Sequence, residues 1–361
     1  MAIITIILLT TQQNYNSMET ILGLDLPTWW FLVIGGLITG YGVLDGFDLG
    51  AGALHLFFKK EESRRLVLNA IGPVWDGNEV WLVIAGGALF AGFPLVYGVV
   101  LSTFYVPFML FLVALIFRAI SIEFRSKETW LWWRKMWDIS YTVSSTAITL
   151  LLGLVLGNLI HGLPINKEHE FTGTLLSFFN PYAILISVTT LSLFMLHGAI
   201  YLVMKTENRL YTRLTVIVNN CSKFFILCFI LTSMATLIYV PHMTHQFKSH
   251  PQLFGLPMLA VLILLNIKRN VDARKYYTAF LYSCIITACL LILFAVGLYP
   301  NIVISTTDPA YSISIYAAAS SVKSLKIMLL IAAIGTPMVI GYTTFLFWTF
   351  RGKVKLNEMS Y

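Results

Sequence analysis

The sequence predicts an all-α polytopic membrane protein with about nine transmembrane helices. Its 361 residues are 58% hydrophobic and only 11% charged, whereas a soluble domain carries about 25% charged residues. This composition excludes an ordinary soluble enzyme, a disordered chain and a disulfide-stabilised scaffold. Because about 20 apolar residues span a bilayer, the chain has room for up to about ten helices with short connections.

Long apolar runs separated by polar residues mark the candidate spans, of which the seventh is the shortest. They cover residues 28–58, 67–92, 95–122, 138–160, 180–204, 213–240, 252–267, 276–299 and 325–350.

These spans define the expected organisation of the chain. We expect an outer N-terminal extension over 1–27, a single transmembrane helical domain over 28–350 and a cytoplasmic tail over 351–361. The first stretch lacks a basic region and a small-residue cleavage site, so it does not look like a cleaved signal peptide. Translation from either Met1 or Met18 fits the sequence.

The basic residues alternate between the two sides of the predicted helices. Twenty of the 24 Lys and Arg residues fall in one set of segments, and only Lys167, Lys248, Lys323 and Lys326 fall in the alternate connections. Such an excess marks the cytoplasmic side, so we expect the N-terminus outside and the C-terminus in the cytoplasm. The +7 charge therefore indicates orientation rather than a nucleic-acid partner. The segments that hold the twenty basic residues are 59–65, 118–135, 205–223, 268–275 and 351–355.

Four acidic residues lie inside the first two spans: Asp45, Asp48, Asp76 and Glu79. A spacing of three places each pair on one helix face. Counted at about 1.5 Å per residue from the cytoplasmic ends, Asp48 and Asp76 lie roughly 16 Å deep, and Asp45 and Glu79 roughly 21 Å deep. Asp48 is thus predicted to lie at the same depth as Asp76, and Asp45 at the same depth as Glu79.

Acids at this depth predict a function that involves protons. A carboxylate in lipid costs several kcal/mol unless it is paired, wetted or protonated. Arg118 is the basic residue placed well inside a span, and one arginine cannot neutralise four carboxylates. We therefore assign Asp48 and Asp76 a role with protons or a polar cofactor. The alternative, local hydrogen bonding in glycine-broken helices, applies most to Asp45 and Asn78.

The histidines give little support to a haem site in this chain. Axial ligands must come from helices, and among the seven histidines only His55 and His197 lie in predicted helices. No repeated spacing supports a bis-histidine pair from these two, so we expect them to be satisfied by other contacts.

Three long sequence blocks lie in the first 127 residues: GYGVLDGFDLGAG (40–52), NAIGPVWDGNEVWLVIAGGALFAGFPLVY (69–97) and IFRAISIEFRSK (116–127). Together they resemble the family of subunit II of cytochrome bd-type quinol oxidases. The segment LYPNIVISTTDPAYSISIYAAASS (298–321) supports the same family, and LGLDLPTWW with WDGNEVWL looks closer to its cyanide-insensitive branch.

The resemblance implies a fold of two four-helix bundles plus one peripheral helix. It implies a complex in the bacterial cytoplasmic membrane that oxidises quinol and reduces O₂ to water. In such a complex the partner, subunit I, binds the haems, often beside a small single-helix subunit, and family members can hold a quinone in subunit II.

The resemblance also implies site residues. Asp48 and Asp76, with Asp45 and Glu79, would form a proton path, and Arg118 would hold their charge or that of a haem propionate. Trp75 would pack near the partner's haem. Two alternatives are a stand-alone secondary transporter, which predicts internal repeats that we do not find, and a cytochrome that carries its own haem.

Overall fold

The computed structural model describes residues 20–244, 247–248 and 250–356, so most of the predicted extension over 1–27 lies outside the described residues. A small hairpin of β1 (Thr20–Ile21) and β2 (Leu24–Asp25) precedes the first helix. The α-helices of the described part are α1 (Leu26–Leu54), α2 (Glu61–Ile71), α3 (Trp75–Gly92), α4 (Pro94–Thr103), α5 (Tyr105–Phe124), α6 (Leu131–His161), α7 (Pro181–Lys205), α8 (Asn208–Tyr239), α9 (Gly255–Asp272), α10 (Tyr276–Leu298), α11 (Ile315–Ala318) and α12 (Val322–Thr349).

The helices agree with the predicted membrane class. Within the described residues, eight helices are long and apolar enough to cross a bilayer, and α4 is a shorter apolar helix. The helix α3 is not among the eight because its first five residues include Asp76, Asn78 and Glu79, which lower its hydropathy. A second hairpin, β3 (Asn301–Val303) with β4 (Ile313–Ser314), lies in the connection before α12.

The second predicted span, 67–92, is wrong as a continuous helix. The chain leaves α2 after Ile71 and enters α3 at Trp75. Pro73 lies in this break, and proline in a helix both lacks an N–H group and clashes with the carbonyl four residues earlier. The straight-helix count of depth from Arg65 therefore does not apply to Asp76 or Glu79.

The third predicted span, 95–122, is also interrupted. It is divided at Phe104 into α4 and α5. Pro107 explains the position of the break, because its ring would clash with the carbonyl of Thr103 in a continuous helix. The fourth helix, in contrast, is longer than predicted and begins at Leu131 rather than at 138.

The packing confirms two four-helix groups and one peripheral helix. In the first group α1 contacts α3 and α6, and α6 contacts α5; in the second group α7 to α10 pack on one another. The groups meet where α1 and α6 contact α7. A Cβ on Gly50 of α1 would lie 1.7 Å from the carbonyl oxygen of Phe194, so these two backbones touch. The helix α12 packs on α1 and α3, and only 6% of its apolar window is buried.

The described part of the C-terminal tail folds back on the end of α7. The Lys353 ammonium donates to the carbonyl oxygens of Val203 and Thr206, at 3.4 and 2.9 Å, and the Val354 amide donates to that of Lys205 at 2.9 Å. The ends of α7 and α12 therefore lie on the same side of the bundle, as the charge pattern predicts.

Candidate proton-transfer site

The acidic residues of α1 lie at the contacts between this helix and its neighbours. The helix starts at a regular cap, where the Asp25 carboxylate accepts a hydrogen bond from the Thr28 amide at 2.8 Å. Its second half is rich in glycine, and Gly46 faces the ring of Phe194 on α7. Because small residues let helices approach closely, Asp45 and Asp48 are fully buried in this half of the helix.

Asp45 forms a two-point ion pair with Arg118 of α5. The Nη2 and Nη1 atoms of Arg118 lie 2.5 and 3.0 Å from the two carboxylate oxygens of Asp45. Arg118 also lies 3.5 Å from Glu79 and 5.9 Å from the ring centroid of Trp75. Both Arg118 and Asp45 are fully buried, so their charges compensate one another away from solvent.

Asp48 has much weaker partners. Its Oδ2 atom accepts a hydrogen bond from the side-chain amide of Asn78 at 2.7 Å. Its Oδ1 atom is buried and has no hydrogen-bond partner among the described residues. A buried carboxylate with one neutral donor and one open oxygen is suited to take up and release a proton.

Asp76 does not join this cluster, although the spacing places it on the same face of α3 as Glu79. Its side chain is exposed on the surface of the chain. Val80, Val83 and Phe90, which follow on the same side of α3, are exposed as well. An acid therefore lies at one end of an otherwise apolar surface.

The structure thus brings together most of the predicted site. Arg118, Asp45, Glu79 and Trp75 meet, which agrees with the predicted match in depth between Asp45 and Glu79. The predicted match between Asp48 and Asp76 is not a contact, since Asn78 occupies the place opposite Asp48.

A bis-histidine haem site formed by His55 and His197 does not fit the structure. The Nε2 atom of His197 lies 2.9 Å from the Val43 carbonyl and its Nδ1 atom 2.7 Å from the Ser283 hydroxyl. His55 lies twelve residues after Val43 along α1, which is about 18 Å, and its Nε2 atom contacts Asp138 at 2.5 Å. In the described residues, no group of three or more His, Cys, Asp and Glu side chains is placed to hold a metal ion.

The sequence analysis did not predict a second buried cluster, since it placed the arginines in cytoplasmic segments, Asp138 at the first residue of a span and His55 in a helix with no assigned partner. Asp138 on α6 contacts His55, Arg64 and Arg125 at distances of 2.5 to 2.8 Å. Arg125 also contacts Glu61 at 2.8 Å. One feature of the sequence could have predicted this cluster. Arg118 and Arg125 are seven residues apart, which puts both on one side of α5. Burial opposes the charge of Arg125, but hydrogen bonds to Asp138 and Glu61 outweigh it and raise its pKa.

Comparisons with known proteins agree on one family. The family model described as cytochrome bd terminal oxidase subunit II matches residues 26–350. The chain is 31% identical to cytochrome bd-I ubiquinol oxidase subunit 2 of Escherichia coli (strain K12), over 91% of this chain and 95% of the relative. It is 30% identical to cytochrome bd ubiquinol oxidase subunit 2 of Bacillus subtilis (strain 168), over 92% and 98% respectively.

A solved structure shows the same fold. A chain of the bd oxidase from Geobacillus thermodenitrificans aligns with a TM-score of 0.75 at 16% identity, covering 90% of this chain and 98% of that one.

The match to the family model extends over almost the whole transmembrane part, from the first turn of α1 to the end of α12. The chain therefore belongs to the subunit II family of cytochrome bd terminal oxidases.

Proposed function

We propose that this chain is subunit II of a bd-type quinol:O₂ oxidoreductase in the bacterial cytoplasmic membrane. It supports the haem-bearing subunit I and helps to deliver cytoplasmic protons for the reduction of O₂ to water. One observation carries the proton role: the Asp48 carboxylate is fully buried and keeps one oxygen without a partner.

The two neighbouring acids of α1 have different tasks in this proposal. Asp45 is held by both terminal nitrogens of Arg118, so it supplies fixed charge and holds α1 against α5. Asp48 has a single amide donor and exchanges protons. Glu79 lies near Arg118 but is not enclosed, since 21% of its side chain is exposed. It extends the path from Asp48, past the fixed charge of Asp45, towards the surface of α3.

The exposed side of α3 is the surface proposed for subunit I. An acid facing lipid is costly, and a partner subunit that covers Asp76 removes this cost and continues the proton path. Trp75, which begins the same helix, would then pack near the partner's haem. The haems are assigned to subunit I, because both ring nitrogens of His197 are already engaged. The quinol substrate is assigned to subunit I as well, as the resemblance to the family implies. Membrane lipid and a small single-helix subunit complete the surroundings.

A structural quinone in this chain would need an apolar site. A cavity of ≈ 200 Å³ lies between α1, α3 and α12, with Trp30, Leu37, Trp81 and Met328 among the residues that line it. Its apolar walls suit part of an isoprenoid quinone.

We place the end of the bundle that carries Arg64, Arg125 and the C-terminal tail in the cytoplasm. The excess of basic residues at this end supports the orientation. The stand-alone transporter is not favoured, because family membership extends over the transmembrane part and the sequence shows no internal repeat.

The proton role is tested with two carboxylate substitutions in the assembled oxidase. Asp48→Asn and Asp76→Asn should each slow O₂ reduction by on the order of tenfold or more, while quinol binding changes little. Asp272→Asn is the matched control, because this carboxylate is 57% exposed and pairs with Lys268 at the end of α9. Unchanged turnover and unchanged proton uptake in both variants would contradict the proposal.

The assignment of the haems is tested with the chain purified alone. Its reduced-minus-oxidised absorption spectrum should show no stoichiometric haem. A haem signal that disappears in the His197→Ala variant would mean that this chain is a cytochrome in its own right.

A further inference from the structure

The contact between α1 and α6 continues from Asp48 as a line of polar side chains, and beyond Asp48 the proposed site does not use them. On α1 and the turn that continues it, positions 48, 52 and 55 share one face, and on α6 positions 138, 141 and 145 share one face. We call this contact the α1–α6 seam, and its residues are Asp48, Gly52, His55, Asp138, Tyr141 and Ser145.

The seam connects the two buried clusters. At its cytoplasmic end His55 contacts Asp138 at 2.5 Å. The rings of His55 and Tyr141 are next to each other, with centroids 5.2 Å apart. The Tyr141 hydroxyl lies 3.5 Å from the carbonyl oxygen of Asp48.

The middle of the seam is formed by Gly52 and Ser145. A Cβ on Gly52 would lie 2.1 Å from the Ser145 hydroxyl oxygen. This hydroxyl is therefore set directly against the backbone of α1, between the levels of Asp48 and His55.

Three polar atoms of the seam are buried without a hydrogen-bond partner among the described residues. They are Oδ1 of Asp48, Nδ1 of His55 and Oγ of Ser145, and all three residues are fully buried. A buried polar atom that nothing satisfies destabilises the folded chain, because it has lost its hydrogen bonds to water. Ordered water, which typically makes about 3 hydrogen bonds to buried polar groups, satisfies atoms of this kind.

We propose that the α1–α6 seam is a polar route, completed by ordered water at its unpartnered atoms, by which protons pass from the cytoplasmic side to Asp48, with His55 as the first proton acceptor. This inference rests on the proposed function and names the entry to its proton site. The route lies entirely inside this chain, whereas Asp76 faces the surface proposed for subunit I.

The chemistry of His55 suits the first step. The ionised Asp138 carboxylate only accepts hydrogen bonds, so Nε2 of His55 carries the hydrogen and Nδ1 keeps its lone pair. An excess proton carried by water from the cytoplasmic side binds Nδ1 and leaves that water neutral, and the Asp138 carboxylate stabilises the resulting imidazolium. Arg64 and Arg125 share Asp138 and oppose a lasting positive charge, so the ring passes the proton on.

The next steps return His55 and the water to their starting states and leave Asp48 as the neutral acid until it passes the proton on along the proposed path. The proton leaves Nδ1 for water in the seam, and a proton from that water reaches Oδ1 of Asp48. The hydroxyl groups of Ser145 and Tyr141 can each donate and accept, so they hold the water chain in line. These two are positioning residues, and no charge remains on them after the transfer.

The experiment uses the assembled oxidase in liposomes, with O₂ consumption, proton uptake and the turnover ratio in H₂O and D₂O as readouts. Ser145→Ala and Tyr141→Phe each remove one oxygen and leave the Asp138 cluster intact. We expect turnover to fall on the order of tenfold and the isotope ratio to rise, with the quinol KM unchanged. His55→Phe should show the same pattern with a larger loss.

Ser222→Ala is the matched control. Its hydroxyl is also fully buried and without a partner among the described residues, but it lies on α8, away from the seam. Turnover and isotope ratio should stay at the wild-type values in this variant.

Asp48→Asn separates the failure of this inference from that of the proposed function. If Asp48→Asn slows turnover while Ser145→Ala and Tyr141→Phe match the wild type, protons enter elsewhere and the seam is wrong. If Asp48→Asn also matches the wild type, Asp48 does not carry protons, so both the seam, which ends at Asp48, and the proton role proposed for Asp48 are wrong. If His55→Phe does not assemble, the other two variants decide.

Discussion

Two arginines of one helix region organise two buried clusters of different character. Arg118 and Arg125 are seven residues apart, and both are at most 1% exposed. Around Arg125, one carboxylate, Asp138, contacts two arginines and a histidine. In the other cluster, the single cation of Arg118 contacts both Asp45 and Glu79. Nearby Asp48 accepts a hydrogen bond from the side-chain amide of Asn78 and contacts no arginine in the described residues.

This difference shows how the same residue types can serve structure or proton transfer. A carboxylate with several charged partners is held in its ionised form and fastens the helices that contribute those partners. A carboxylate with a single neutral partner can change its protonation state. The ratio of cations to acids, rather than the presence of buried acids, separates the fixed cluster from the exchanging one.

The largest effect is expected when Arg118 is removed. Arg118→Leu leaves the buried Asp45 without its cation, and breaking a buried pair in this way costs about 3–5 kcal/mol. The yield and thermal midpoint of the assembled complex should fall strongly. The double variant Arg118→Leu with Asp45→Leu should recover much of the loss, because it removes both charges. A single variant as stable as the wild type would mean that another group neutralises Asp45.

A smaller effect is expected for the equivalent change at Arg125. Arg125→Leu leaves Asp138 with Arg64 and His55, so the loss should be about 1–3 kcal/mol. The thermal midpoint measures this loss, and turnover per assembled complex should fall less than in Asp48→Asn. A loss of stability as large as that of Arg118→Leu would contradict the expectation that Arg64 and His55 still stabilise the Asp138 carboxylate.

Gly52 tests the close contact that lies between the clusters. In Gly52→Ala the new methyl group meets the Ser145 hydroxyl, and overpacking of this kind costs about 1–3 kcal/mol. Gly36→Ala, also on α1, is the control, because nothing lies within 4 Å of its Cβ position. Equal thermal midpoints for the two variants would mean that α1 and α6 are less tightly packed than the structure shows.

The smallest effect is expected at the rim of the cytoplasmic cluster. Glu61 is 44% exposed, and ion pairs accessible to solvent contribute about 0–1 kcal/mol. Glu61→Gln should therefore change the thermal midpoint only slightly, and the difference should shrink as salt is added. A large loss would place Glu61 among the fixed charges of the cluster.

Several features could be predicted from particular residues because their signals are local. The charge alternation and the apolar runs predicted the spans, and the spacing of Asp45 and Asp48 with the position of Arg118 predicted a buried charged site. Pro73 and Pro107 carried a signal for helix breaks that the apolar runs obscured. The start of α6 was missed because hydropathy treats the polar residues before 138 as a loop, although they continue the helix.

The sequence by itself determined the membrane class, the expected orientation, the family and most of the residues of the candidate site, because composition, charge alternation and motifs are properties of the chain alone. Only the tertiary structure decided which acid receives a cation and which an amide, that Asp76 faces outward, and that Asp138 and His55 join the polar line between α1 and α6. The physical reason is that the partners of a buried charge come from helices distant in sequence, such as Asp45 and Arg118 or His55 and Asp138. The rotation of each helix about its axis and the positions of its breaks determine which side chains meet. Both are set only when the helices pack against one another.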